Sequence, residues 1–190
     1  DQYIENIARL INNGHKKTIA VIDNYEELDL LQENIKGKFQ IGIRIASEEE
    51  PKFEFYTSRL GIGYKNILPF YRKTVAENQN VELKMLHFFI NTGIRDTAYY
   101  WNELSKCMKV YTSLKKESPT LDSLNIGGGF PIKNSLAFDY DYAYMVDEII
   151  NQIKLACEEA DVQVPNIFTE FGSFTVGESG AVKARRIFIQ

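Results

Sequence analysis

Apolar residues recur with helical spacing at Ile4, Ile7, Ala8, Leu10 and Ile11, which predicts an amphipathic helix over residues 2–12, ended by Asn13-Gly14. The apolar run 18–22 follows as a buried strand. Asn24 then offers an N-cap, and Glu27 three residues on completes a capping-box pattern. That pattern predicts a helix over 25–35, closed by Gly37. The rhythm continues down the chain, with strands over 39–46, 83–90, 121–126 and 167–171 alternating with helices over 66–78, 97–116 and 140–160. The last of these helices carries Met145, Val146, Ile149, Ile150, Ile153 and Cys157 on one face. Residues 47–64 follow neither period and hold Glu48, Glu49 and Glu50, the composition of a solvated loop.

Strands and helices alternating at this spacing imply βαβ units and a parallel sheet, an α/β class. Five such strands fit either an open doubly wound sheet or a stretch of a (β/α)8 barrel. Both architectures place their chemistry at the carboxyl ends of the strands.

Composition narrows the function classes. The net charge is -4 over 190 residues with both signs interspersed, so no basic field points to nucleic acid. The 11 Tyr and 12 Phe fall within the strand and helix patterns, as core and interface residues do. No apolar run is long enough to span a bilayer, and the first residues lack the layout of a secretion signal. Cys107 and Cys157 lie in helical patterns without CxxC spacing or a neighbouring histidine. Buried reduced thiols are expected, with no metal site, and with them a cytoplasmic location. The chain opens at Asp1 without Met and stops within an apparent strand over 182–189, so a segment of a longer protein is expected.

The strand ends carry the candidate chemistry. In Gln40-Ile41-Gly42-Ile43-Arg44-Ile45 the isoleucines share one face, leaving Arg44 as a lone charge on the other. A guanidinium directed into a barrel needs a partner. Glu170 is likewise a lone charge at the end of an apolar strand, a candidate acid or base or the partner of Arg44 or of a protonated ligand nitrogen. No second carboxylate or histidine stands beside it in the sequence, which argues against a metal site. His87 reads as a core histidine with one satisfied nitrogen. Phe89 stands at the mouth of the same strand, where it could stack on a ring, and Thr92 and Gly93 follow as candidate phosphate contacts. Residues 124–131 read Leu-Asn-Ile-Gly-Gly-Gly-Phe-Pro, a strand opening into three glycines. Bare amides delivered there by a strand can converge on an anion, and a plain flexible turn is the alternative.

Taken in order, Ile22-Asp23-Asn24, Ile43-Arg44-Ile45-Ala46, Ser58-Arg59-Leu60-Gly61-Ile62, residues 86–93, residues 126–131 and Thr169-Glu170-Phe171-Gly172 resemble the barrel domain of the fold-type III decarboxylases that depend on pyridoxal 5'-phosphate (PLP). Among these amino-acid decarboxylases the resemblance is strongest to those making agmatine from arginine for polyamine synthesis. It implies about the last five βα units of a (β/α)8 barrel over 1–181, with a C-terminal β-domain beginning at 182–190. Gly127, Gly128, Gly129 and Thr92 would hold the PLP phosphate, Phe89 would stack on the ring, Glu170 would pair with the pyridinium nitrogen, and Arg44 would lie near both ring and Glu170. Arg59 matches a basic position used near the dimer interface. The family places histidine where Phe89 stands, and phenylalanine there can still stack but shifts the electrostatics. It places glycine at Asn91 and arginine at Ser173, two changes that imply weaker or rearranged phosphate binding. The lysine that carries the cofactor belongs to an earlier strand, and no lysine here sits in a matching motif. The resemblance further implies an amino-acid substrate, a homodimer or higher homo-oligomer, and an inactive isolated segment. Two other readings stay open: a non-catalytic relative serving partner binding or regulation, and a barrel enzyme acting on a phosphorylated substrate.

Overall fold

A computed structural model describes residues 2–47, 60–90, 93–132 and 139–176, with the side chains of Ser173 and Val176 excepted. Helix α1 (Gln2–Asn12) leads into strand β1 (Ile19–Ile22), helix α2 (Tyr25–Asn34) and strand β2 (Phe39–Ala46). The short strand β3 (Ile62–Gly63) opens into helix α3 (Tyr64–Phe70), which runs on as a π-helical turn over Tyr71–Val75. Strand β4 (Val81–His87), helix α4 (Ala98–Glu117), strand β5 (Ser123–Asn125), helix α5 (Tyr142–Glu159), strand β6 (Asn166–Phe168) and the short helix α6 (Gly172–Val176) complete the described chain. The expected strand over 182–189, and with it the proposed start of a second domain, lies outside the described residues.

The cap predicted at Asn24 forms as the sequence reads. Asn24 Oδ1 accepts from the Glu27 N–H at 3.0 Å, and the Glu27 carboxylate accepts in return from the Asp23 N–H at 2.7 Å. Thr97 and Asp141 cap α4 and α5 in the same way. The helix predicted over 66–78 differs. Pro69 lies inside it and has no N–H to donate, and directly after it the turn widens, with Ala76 N bonded back to Tyr71 O.

The strands pair in parallel in the order β1-β2-β4-β5-β6, with β3 added only at the end of β2. Neighbours in space are thus neighbours in sequence. A doubly wound sheet reverses its strand order at a switch point, and no reversal occurs among the described residues. Right-handed crossovers that always step the same way put every connecting helix on one face. The helices pack accordingly, α1 on α2, α3 on α4 and α4 on α5. This is the wall of a barrel, and it settles the choice the sequence left open.

Register sorts the sheet into two faces. Ile22, Ile43, Leu86 and Leu124 pair across one row and are all buried against the helices. The next row, Arg44 opposite His87 and His87 opposite Asn125, turns to the other face. In α5 the buried stripe is Met145, Ile149, Ile153 and Cys157, while Val146, expected with them, is exposed. The stripe advances by four residues at a time and is too narrow to take in a position one residue off it.

Candidate functional site

A chain of polar side chains crosses the inner face at the carboxyl ends of the strands. Asp23 follows β1, Arg44 is near the end of β2, His87 ends β4, Asn125 ends β5, and Glu170 lies two residues beyond β6. The strands themselves bring these residues together, since parallel pairing sets Arg44, His87 and Asn125 in one row. Arg44 Nη1 lies 3.7 Å from Asp23 Oδ1, and its guanidinium carbon sits 5.4 Å from the centre of the Phe89 ring. This is a cation–π contact on a partly buried charge. Asp23 is the carboxylate that faces Arg44; the pairing with Glu170 considered from sequence is not formed. Two intervening strands, β4 and β5, separate them.

Glu170 is held from the strand side. Asn125 Nδ2 donates to its Oε1 at 2.8 Å, and His87 Nε2 lies 3.6 Å from the same oxygen. The His87 side chain is only 10% exposed and that of Glu170 54%, so the carboxylate bridges a buried base and an open face. His87 Nε2 is buried without a hydrogen-bond partner. His87 is buried as the sequence suggests, and its Nε2 faces a carboxylate just beyond bonding distance. Burial pulls its pKa below the ordinary value, Glu170 and Asp23 oppose that shift, and Arg44 adds to it.

The glycines complete the site. Gly127 (φ 70°) and Gly129 (φ 103°) adopt the left-handed backbone that glycine permits. Gly128 has no room for a side chain, as a Cβ would stand 2.2 Å from the Glu170 carbonyl oxygen. The Gly127 N–H donates to Asn125 Oδ1 at 2.8 Å, and the Gly127 carbonyl accepts from the Glu170 N–H at 2.8 Å. Asn125 thus ties the glycine turn to Glu170 with one amide. Because its Oδ1 takes the Gly127 N–H, that amide points into the fold, contrary to the expectation that all three glycine amides face an anion. The Gly128 and Gly129 N–H groups meet no acceptor among the described residues. Ile94 N bonds to Gly129 O at 3.0 Å, which brings the segment after β4 against the turn. On the far side Phe130 packs between Phe171 and Tyr142, bracing the turn.

Thr92 and Asn91 lie outside the described residues, as does Arg59, and nothing is described of the Ser173 side chain. Asn125 was not among the site residues expected from sequence. An Asn two residues ahead of glycines reads as a turn former, and its other signal is being a polar residue between Leu124 and Ile126. Cys107 and Cys157 are free, buried thiols on α4 and α5, away from this cluster. No helix among the described residues is long and apolar enough to cross a membrane.

The model of a family described as "pyridoxal-dependent decarboxylase, pyridoxal binding domain" matches residues 3–177. Among curated proteins, the biosynthetic arginine decarboxylase of Prochlorococcus marinus (strain MIT 9215) is 25% identical over 186 residues, covering 90% of this chain and 28% of the relative. The enzyme of the same name from Geobacter sp. (strain M21) is 25% identical over 190 residues, covering 92% of this chain and 30% of the relative. The chain therefore spans less than a third of the length of these two relatives. Among solved structures, the biosynthetic arginine decarboxylase of Campylobacter jejuni superposes with a TM-score of 0.66 at 21% identity, over 92% of this chain and 30% of that one. Diaminopimelate decarboxylase from M. jannaschii, in complex with L-lysine, superposes with a TM-score of 0.74 at 23% identity, over 90% of this chain and 41% of that one.

Proposed function

Because the chain belongs to the pyridoxal-dependent decarboxylase family, as its pyridoxal-binding domain, we propose that it builds one wall of the PLP pocket of a decarboxylase that converts arginine to agmatine in polyamine synthesis. The observation that carries this reading is the anchoring of Glu170 and of the glycine turn by the same side chain, Asn125. The arginine substrate is supported by the curated relatives named biosynthetic arginine decarboxylase.

The residues present fit PLP. A turn that excludes any Cβ at position 128 and keeps two amides without acceptors suits a phosphate approached by backbone alone. Phe89 offers a flat apolar ring for stacking, with Arg44 against it. When bound, PLP supplies an electron sink for the pair left behind as carbon dioxide departs. Glu170, its Oε1 anchored, presents the rest of its carboxylate to hold a proton on the ring nitrogen. Asp23 offsets the charge of Arg44, so the guanidinium can stand near an acceptor ring without a lone positive charge buried there. The lysine that carries the cofactor belongs outside these residues, so residues 1–190 alone are expected to release no carbon dioxide.

The deciding experiment uses the full-length protein, with PLP binding followed by absorbance and carbon dioxide release assayed from arginine, ornithine, lysine and diaminopimelate. Release that is fastest from arginine is expected. Absence of PLP binding would overturn the proposal. PLP binding without release from any of the four would favour a second reading, a non-catalytic relative, which Phe89 in a histidine position supports.

A further inference from the structure

Glu170 is more than half exposed, yet one of its oxygens is approached by two nitrogens from the floor of the site. Asn125 makes the first contact and is itself committed to the glycine turn through its other amide atom. His87 makes the second approach. Its Nε2 is buried, has no other hydrogen-bond partner, and points at Oε1 from 3.6 Å. A buried nitrogen with no partner is costly, and a shift of a few tenths of an ångström would turn this approach into a hydrogen bond.

We propose that His87 is a positioning residue for Glu170: together with Asn125 it fixes Oε1 and so directs Oε2 outward to the group the carboxylate serves. The inference rests on the PLP reading above for the identity of that group, but not for the His87–Glu170 contact itself. The charged groups that face His87 are Glu170 after β6, Arg44 on β2 and Asp23 after β1. Arg44 is offset by Asp23, which leaves Glu170 as the carboxylate that His87 serves. The fold also explains why a histidine is suited to this position. Its ring reaches across β5 from β4, and its neutral form can donate from Nε2 to a carboxylate without bringing a second full charge into a site that already holds Arg44.

The test is a double-mutant cycle on the full-length protein with PLP as the probe, measured by equilibrium dialysis. His87→Phe is expected to weaken PLP binding about tenfold, a change of one decade in Kd. His87→Gln, whose amide nitrogen reaches where Nε2 lies, is expected to restore most of that loss. In a Glu170→Gln background His87→Phe should change binding little further. An equal loss in both backgrounds, or no rescue by glutamine, would overturn the proposal, since a merely structural role predicts both. A second measurement needs neither cofactor nor a His87 variant: the imidazole titration of His87 by NMR, with and without Glu170→Gln. Loss of the carboxylate is expected to move the titration to lower pH, and an unmoved titration overturns the proposal. Should wild-type protein fail to bind PLP, the cofactor reading falls while the NMR result still decides the His87–Glu170 coupling.

Discussion

Gly128 shows how tightly single residues are fixed at this site. A methyl group there would meet the Glu170 carbonyl at 2.2 Å, a collision with backbone that no rotamer change relieves. Gly128→Ala is therefore expected to destabilise the protein by about 2 kcal/mol or more and to abolish PLP binding, read from a urea midpoint and from dialysis. Glu170→Ala keeps the turn, because the backbone bond from Glu170 N to Gly127 O needs no side chain. That variant should still bind PLP but lose carbon dioxide release by about a hundredfold or more; unchanged turnover would remove the role proposed for it at the ring nitrogen. His87 adds a pH dependence of stability. Its folded pKa lies below the ordinary value, so around that pH the unfolded chain binds more protons than the folded one. Its contribution is complete above about pH 6.5, the unfolded value, and is lost as the pH falls toward the folded one. The urea midpoint should drop with acidification over that window, and less steeply in His87→Phe. At this scale Arg44 and Glu170 were legible because each is a lone charge in an apolar strand. Asn125 was not, since an Asn two residues ahead of the glycines fits a turn equally well.

Local chemistry fixed the helices more closely than the strands. The cap residues Asn24 and Thr97 carry side-chain oxygens that bond the first turn whatever the tertiary setting, so the starts of α2 and α4 fall where the sequence places them. Asn24→Ala removes the acceptor for the Glu27 N–H and is expected to cost about 1 kcal/mol, visible as a lower urea midpoint with cofactor binding unchanged. Strands end where their neighbours stop pairing. The apolar run 83–90 leaves the sheet at His87, and 121–126 pairs only over Ser123–Asn125. The apolar residues beyond those limits, among them Phe88 and Ile126, stay buried, which is why periodicity alone overextends both strands.

Over the whole molecule, stacking five parallel strands in chain order leaves β1 and β6 with one sheet neighbour each among the described residues. Ile167 and Phe168 on β6 are exposed, as is Phe174 just after it. Such an edge is a template for pairing with other chains. Residues 1–190 expressed alone are expected to self-associate, whereas the full-length protein stays dispersed, as light scattering at matched concentrations will report. A dispersed, cooperatively unfolding segment would show instead that this barrel wall is stable by itself.

The amino-acid sequence by itself determined the alternation of strands and helices, the capped helix starts and the chemical types gathered at the strand ends. Those are consequences of neighbours one to four residues apart. Only the tertiary structure decided the barrel order over a doubly wound one, and which polar groups meet. Asn125 and Glu170 are 45 residues apart. Gly127 bonds Asn125 locally, but Glu170 reaches both Asn125 and the Gly127 carbonyl only because β5 and β6 pair in one particular register. A shift of one residue in that register would turn Asn125 to the helix face. The partners that Arg44, His87 and Glu170 meet are thus a property of lateral strand pairing, which no local pattern encodes.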